Sequence, residues 1–171
     1  SSVLLATEDG LKRLGIAPGD CTEILSYAHS VRGLGKPTDG ARLVNVQGAA
    51  SQAYADAGIT AQDVDVAEVH DCFSVTEAQH YPALGFCAEE DSPARIRDGS
   101  FALDGSLPVN PGGGLIGFGH PIGATGVKQV LEVHRQMRGA CGDYQMAERP
   151  RIGVTSNLGG DDRTGIVMVH A

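Results

Sequence analysis

Between Asn110 and Gly126 the chain reads Asn-Pro-Gly-Gly-Gly-Leu-Ile-Gly-Phe-Gly-His-Pro-Ile-Gly-Ala-Thr-Gly, and seven of those seventeen residues are glycine. Glycine loses more backbone entropy on folding than any other residue, so such density fits a place that needs positive φ or close approach to the chain. His120 stands inside this segment with almost no side chains around it. Pro121 fixes the backbone directly after the imidazole, and a helix is expected to follow at once. A segment built this way suits a reacting carbonyl that comes close to the chain while an imidazole points at it. The plainer alternative is a flexible loop.

The rest of the pattern gives strands alternating with helices. Val3–Ala6 reads as a short buried strand. Thr7 can cap a helix with Glu8 and Asp9 in its first turn, Lys12 and Arg13 in its last, and Gly15 as its stop. Residues 21–31 read as a second strand and Ala41–Ala57 as an Ala-rich helix stopped by Gly58. Thr60 and Asp63 form a capping-box variant. Val64, Val66 and Val69 then mark a strand that runs into His70-Asp71-Cys72-Phe73. Ser74 is placed to cap the next helix, which ends near Leu84. Residues 85–107 carry Gly, Pro, Asp and Ser with few apolar pairs and read as a long excursion, a lid or cofactor loop. A helix over Val127–Met137 puts Val127, Val130, Leu131, His134 and Met137 near one face. Two strands close the chain, Arg151–Ser156 and Ile166–Val169. Five strands and their helices make an α/β layered domain, mostly parallel with a mixed edge.

Composition narrows the partners. Thirteen basic against 21 acidic residues leave a net charge of −8, with no cluster of Lys and Arg to meet a phosphate backbone, so nucleic acid is not expected. A local positive pocket for an anionic ligand would have to draw on Lys12, Arg13, Arg32, Lys36, Arg95, Arg97 or Lys128. Cys21, Cys72, Cys87 and Cys141 lack metal-ligand spacing and are too few for a disulfide framework. No metal is expected. With no leader-like segment and no apolar run of about 18 residues, a cytoplasmic, non-membrane protein is expected. The start on Ser1-Ser2, without Met and directly into an apolar run, suggests a piece of something larger.

Three clusters carry the chemistry. His70 and Cys72 are two apart, so they leave a continuing strand on the same face. A thiol at a helix N-terminus also meets the positive end of the dipole, which favours thiolate. His120 is the second imidazole, with Gly123–Gly126 offering backbone amides at a helix start. Asn157-Leu158-Gly159-Gly160 follows a strand directly and can aim amides at a developing oxyanion. His29, His134 and His170 read as core or surface residues, and Asp161-Asp162-Arg163 as a solvated turn. Two imidazoles, a thiol and an oxyanion turn suit proton transfer at a carbon α to a thioester. A covalent nucleophile is missing from the set.

Together these motifs resemble the thiolase superfamily. The Asn110–Gly126 segment is similar to its Gly-Gly … Gly-His-Pro-x-Gly signature, and His70-Asp71-Cys72-Phe73 to the HDCF motif of the sterol-carrier-protein-2 type. The resemblance covers residues 1–171, but only the C-terminal half of such an enzyme. It implies a βαβαβαββ half with a mixed five-stranded sheet, acyl-CoA and CoA as substrates with no covalently bound cofactor, an N-terminal half as partner, and a homo-oligomer. It implies that His120 activates the nucleophilic cysteine of the other half, that His70 belongs to an oxyanion hole, that Cys72 is the acid/base, and that the Gly159 amide holds a tetrahedral oxyanion. Asn110, Gly113, Phe73 and Phe118 would contact substrate. Asn157 stands where classical thiolases carry a cysteine, which fits the sterol-carrier-protein type, and the sequence departs from the family where Asp161-Asp162-Arg163 follows the glycines and where Phe118 replaces a frequent lysine. The activity implied is thiolytic cleavage of a 3-oxoacyl-CoA or the reverse Claisen condensation. A CoA-thioester or lipid-binding subunit, a carbon–carbon lyase, and a dimer scaffold are the alternatives.

Overall fold

The computed structural model describes residues 2–171. Thr7 caps α1 (Glu8–Leu14) by accepting a hydrogen bond from the Gly10 amide at 3.2 Å, and Gly15 closes it in the left-handed region. β1 covers Ile24–Val31 and α2 covers Val44–Ala57. Thr60 and Asp63 form their capping box, which leads into β2 (Val66–Val69). Then follow α3 (Ser74–Ala83), α4 (Ser92–Arg97), α5 (Gly114–Phe118) and α6 (Thr125–Arg138). β3 (Gly153–Gly159) and β4 (Thr164–His170) close the fold as a hairpin.

The sheet has the order β1-β4-β3-β2. Two of its three pairings are antiparallel, β1 with β4 and β3 with β4, and only β2 with β3 is parallel. The expectation of a mostly parallel sheet is thus corrected, because the closing hairpin supplies the two central strands. The class stands, α/β with a mixed sheet, but with four strands among the described residues instead of five. The missing one is Val3–Ala6. It forms no strand, and Val3, Leu4 and Leu5 are 41, 79 and 72% exposed. Strand preference is mostly cross-strand packing, and a short apolar run without a paired neighbour has none.

The two faces of the sheet differ. On one, Ala67, Val69, Val154, Val167 and Val169 pack against Val46, Ala49, Ala50 and Ala53 of α2 in a continuous core. Strand alternation sends Glu68 to the opposite face, where α6 lies over β2 and β3. That face is left open over β1 and β4, where Tyr27 and Val31 are exposed and Ile166 is partly so.

α6 is turned relative to expectation. Its buried residues are Thr125, Gln129, Glu132, Val133 and Gln136, while Val127, Val130, Leu131 and Met137 are only half-buried. The polar groups go inward because each finds a partner. Gln136 Nε2 donates to Tyr144 O at 2.8 Å, and Tyr144 Oη donates to Glu132 Oε2 at 2.8 Å.

Two further expectations change. Ser74 begins α3 without capping it, and no side chain caps that terminus. Asp161-Asp162-Arg163 is no simple solvated turn. Asp162 is buried, and its carboxylate accepts hydrogen bonds from the Asn45 and Val46 amides at 2.8 and 3.0 Å, capping α2 across the fold. Gly165 completes this joint, since a Cβ there would lie 2.6 Å from Val46 N. Asp162→Ala is expected to cost about 2–3 kcal/mol, read as a lower urea midpoint, because two charge-assisted bonds and a helix cap go together. The 85–107 excursion packs on the core through Phe86, Phe101 and Leu107, with Phe101 stacked on Tyr81 at 3.8 Å.

Candidate active site

β2 ends at Val69, and the chain turns through His70-Asp71 into α3. This turn is fixed from outside. Asp71 is buried and its carboxylate accepts from the Leu115 amide at 2.6 Å and the Ile116 amide at 3.3 Å, so it caps α5. Gly114 sits at φ +58, and a Cβ on it would overlap that carboxylate. Asp71 therefore clasps the glycine segment against the end of β2 and brings His120 to His70. Their ring centroids are 4.8 Å apart and the rings nearly perpendicular, at 88°.

Each imidazole is anchored through Nδ1. His120 Nδ1 lies 2.6 Å from Thr125 Oγ1, and Thr125 donates its own hydroxyl hydrogen to Pro121 O at 3.3 Å. His70 Nδ1 lies 3.0 Å from Asn157 Oδ1. Asn157 Nδ2 donates to Gln129 Oε1, and Gln129 Nε2 donates to Ser156 O at 3.3 Å. Burial holds the His70 pKa below the usual histidine range and His120 pushes the same way, against the opposing Asn157 hydrogen bond and Asp71 charge. Cys72 Sγ lies 3.7 Å from Thr76 Oγ1 in the first turn of α3.

His70, Cys72, His120 and Gly159 line one cleft of about 860 Å³. Its opposite wall is apolar, with Ile24, Val127, Val130, Ile166 and Met168. The structure thus brings the four expected catalytic positions together. The four expected substrate contacts are not among the residues lining this cleft. Asn110 is buried, with Oδ1 accepting from the Val69 amide at 2.8 Å and Nδ2 donating to Glu77 at 3.1 Å, so it braces the end of β2. Gly113 and Asn110 line a separate hollow of about 330 Å³. Phe73, 70% exposed, shares a third hollow with Cys72. Phe118 lies under the Lys128 ammonium at 4.1 Å. None of the seven nominated cations lines the main cleft, and no residue of 85–107 does. The Ala124 and Thr125 amides, offered as anion donors, are spent on Pro121 O at 2.8 and 3.1 Å. Among the other imidazoles, His170 is a core residue, as expected, and His134 binds Thr22 Oγ1 at 2.8 Å.

Asp71, Thr125 and Gln129 were missed as site residues. A signal for Gln129 exists, because Gln129, Glu132, Val133 and Gln136 fall at i, i+3, i+4 and i+7, a mostly polar stripe at helical spacing. Nothing in the sequence pairs Asp71 with α5 or Gln129 with Asn157.

Behind the glycine segment, burial pushes the Glu68 carboxyl up to about 8 and outweighs the Lys128 ammonium at 3.4 Å. The folded state therefore favours protonated Glu68. That contribution is complete below about pH 4.5 and is lost as pH rises through about 8. Glu68→Gln is expected to raise the urea midpoint above about pH 8, by at least about 1 kcal/mol, and to leave it unchanged below about pH 4.5.

The family profile described as Thiolase C-terminal domain-like matches residues 26–170. This chain belongs to that family. The thiolase domain is 42% identical to the acetyl-CoA acetyltransferase of Methanothermobacter thermautotrophicus over 72% of this chain and 32% of that protein. It is 34% identical to the benzoylsuccinyl-CoA thiolase subunit BbsB of Thauera aromatica over 95% of this chain and 42% of that protein. It is 41% identical to sterol carrier protein 2 of Homo sapiens over 65% of this chain and 20% of that protein. Among solved structures, the Ltp2-ChsH2(DUF35) aldolase superposes with a TM-score of 0.71 at 21% identity, covering 86% of this chain and 39% of that one, a likeness of fold. The thiolase domain spans from a fifth to about two-fifths of the length of these curated relatives. Among the described residues, no helix is long and apolar enough to cross a membrane.

Proposed function

We propose that this thiolase domain is the C-terminal half of an acyl-CoA acyltransferase that cleaves a 3-oxoacyl-CoA with CoA or runs the reverse condensation. The observation that carries the reading is the convergence of two Nδ1-anchored imidazoles, 4.8 Å apart, with the Cys72 thiol and Gly159 on one cleft. The nucleophilic cysteine comes from an N-terminal half, for which the open apolar wall of the cleft is a suitable seat.

The residues then divide the work. His120 offers Nε2 to the partner cysteine and takes its proton. The thiolate attacks the 3-oxo carbonyl, and the Gly159 amide helps hold the tetrahedral oxyanion. As that carbonyl re-forms, the C2–C3 bond breaks and the electron pair leaves as the enolate of acetyl-CoA, stabilised on the imidazole side. Cys72 gives its proton to C2, then takes the thiol proton of the incoming CoA. The CoA sulfur attacks the acyl-enzyme, and the departing cysteine thiolate recovers its proton from His120.

The test uses the complete two-half protein. Cys72→Ala is expected to slow both thiolysis and exchange of the α-protons of acetyl-CoA with solvent about a hundredfold. Unchanged rates in both assays would overturn the role of Cys72 and favour a CoA-thioester-binding subunit or a carbon–carbon lyase.

A further inference from the structure

Hydrogen-bond polarity runs in one direction from the centre of the sheet to the cleft. The chain of bonds starts at Ser156 O, a backbone carbonyl that can only accept. The Gln129 amide must therefore turn its NH₂ towards Ser156, which aims Oε1 at Asn157. Asn157 must answer with Nδ2, because an oxygen there would face an oxygen. Its Oδ1 is thus fixed towards His70, and the ring nitrogen facing it at 3.0 Å must carry hydrogen. Gln129 is fully buried, so no solvent competes for its amide.

We propose that Gln129 and Asn157 act as a positioning relay that holds the neutral His70 ring as its Nδ1–H tautomer, leaving Nε2 as a hydrogen-bond acceptor in the resting site. A side chain distant from the reacting atoms then decides what His70 can offer them. In the neutral state His70 does not donate directly to a thioester or enolate oxygen through Nε2. It holds a water or another O–H donor that points its second hydrogen at that oxygen, or it becomes a donor only after taking up a proton. A thiol at position 157 could not pass on the polarity of an amide. The catalytic consequence rests on the acyltransferase reading, whereas the tautomer does not.

The tautomer is directly observable by NMR of the protein labelled with ¹⁵N-histidine. The wild-type His70 ring is expected to show Nδ1 protonated and Nε2 bare at a pH above its titration. An Nε2–H pattern there overturns the proposal without any variant. Gln129→Met keeps the volume but frees the Asn157 amide to rotate, and the tautomer ratio of His70 should move about tenfold towards Nε2–H. Asn157→Asp puts a carboxylate on the same nitrogen, and His70 should bind its proton at least about tenfold more tightly. The charged or titratable groups already facing His70 are His120, Asp71 and His80, and these variants leave all three in place. The buried rings of His80 and His170 report whether each variant is folded. A folded Gln129→Met protein with an unchanged His70 pattern refutes the relay, and if that variant does not fold, the wild-type pattern and Asn157→Asp still decide. Loss of turnover has no bearing on this readout, so failure of the acyltransferase reading and failure of the relay are separately visible.

Discussion

Replacing His120 with Asn in the complete two-half enzyme is expected to lower kcat/KM about ten-thousandfold while leaving the fold intact. Asn keeps a polar group beside Thr125 but supplies no basic nitrogen. The partner cysteine would then remain a thiol, and no imidazolium would be available to return its proton. Little structural loss is expected because Thr125 keeps its bond to Pro121 O and the clasp on α5 is made by Asp71. The discriminating measurement is the rate of acyl-enzyme formation in a single turnover. If only the second half-reaction slows, His120 serves the deacylation alone.

Asp71→Ala is the second large effect, and it couples stability to rate. The variant strands the buried Leu115 amide, removes the acceptor of the part-buried Ile116 amide and opens space against Gly114. The cost should be about 3 kcal/mol, seen as a lower midpoint in urea. The glycine segment would also lose its clasp, and His120 would drift from His70. A displacement of about 1 Å costs around a hundredfold in kcat/KM, although Asp71 touches no substrate. Asp71→Asn keeps one acceptor for the two amides and should fall between the two. Full activity in a folded Asp71→Ala protein would refute the clasp.

The four proposed catalytic positions were legible because each announces itself locally. His120 lies in a run of glycine, His70 and Cys72 at the end of an apolar strand, and Gly159 just after another. The supporting residues were hidden because their partners are far away in sequence. Asp71 finds α5 over 44 residues, and Asp162 finds α2 over 116 and 117. α6 misled for a different reason. Its apolar residues do share a face, but the N-terminal part of that face, Val127 and Val130, lines the cleft, while the polar face is satisfied inside. The Val3–Ala6 strand failed because hydrophobicity specifies a strand only when there is a neighbour to pair with. The proposed substrate contacts came from resemblance alone, and Asn110 proved to be a brace.

The hairpin of β3 and β4 has a consequence for the order in which the protein assembles. Its strands are joined by a turn of four residues, Gly160–Arg163, and can zip on the microsecond scale of hairpins. The parallel pairing of β2 with β3 must first close a loop from Val69 to Gly153, and the bond between His70 and Asn157 spans 87 residues. Contacts of that range are entropically deferred. The imidazole pair thus belongs to the late, easily reversed part of folding, where substitutions are expected to quicken unfolding more than they delay folding. Chemistry in this domain waits for its slowest contact.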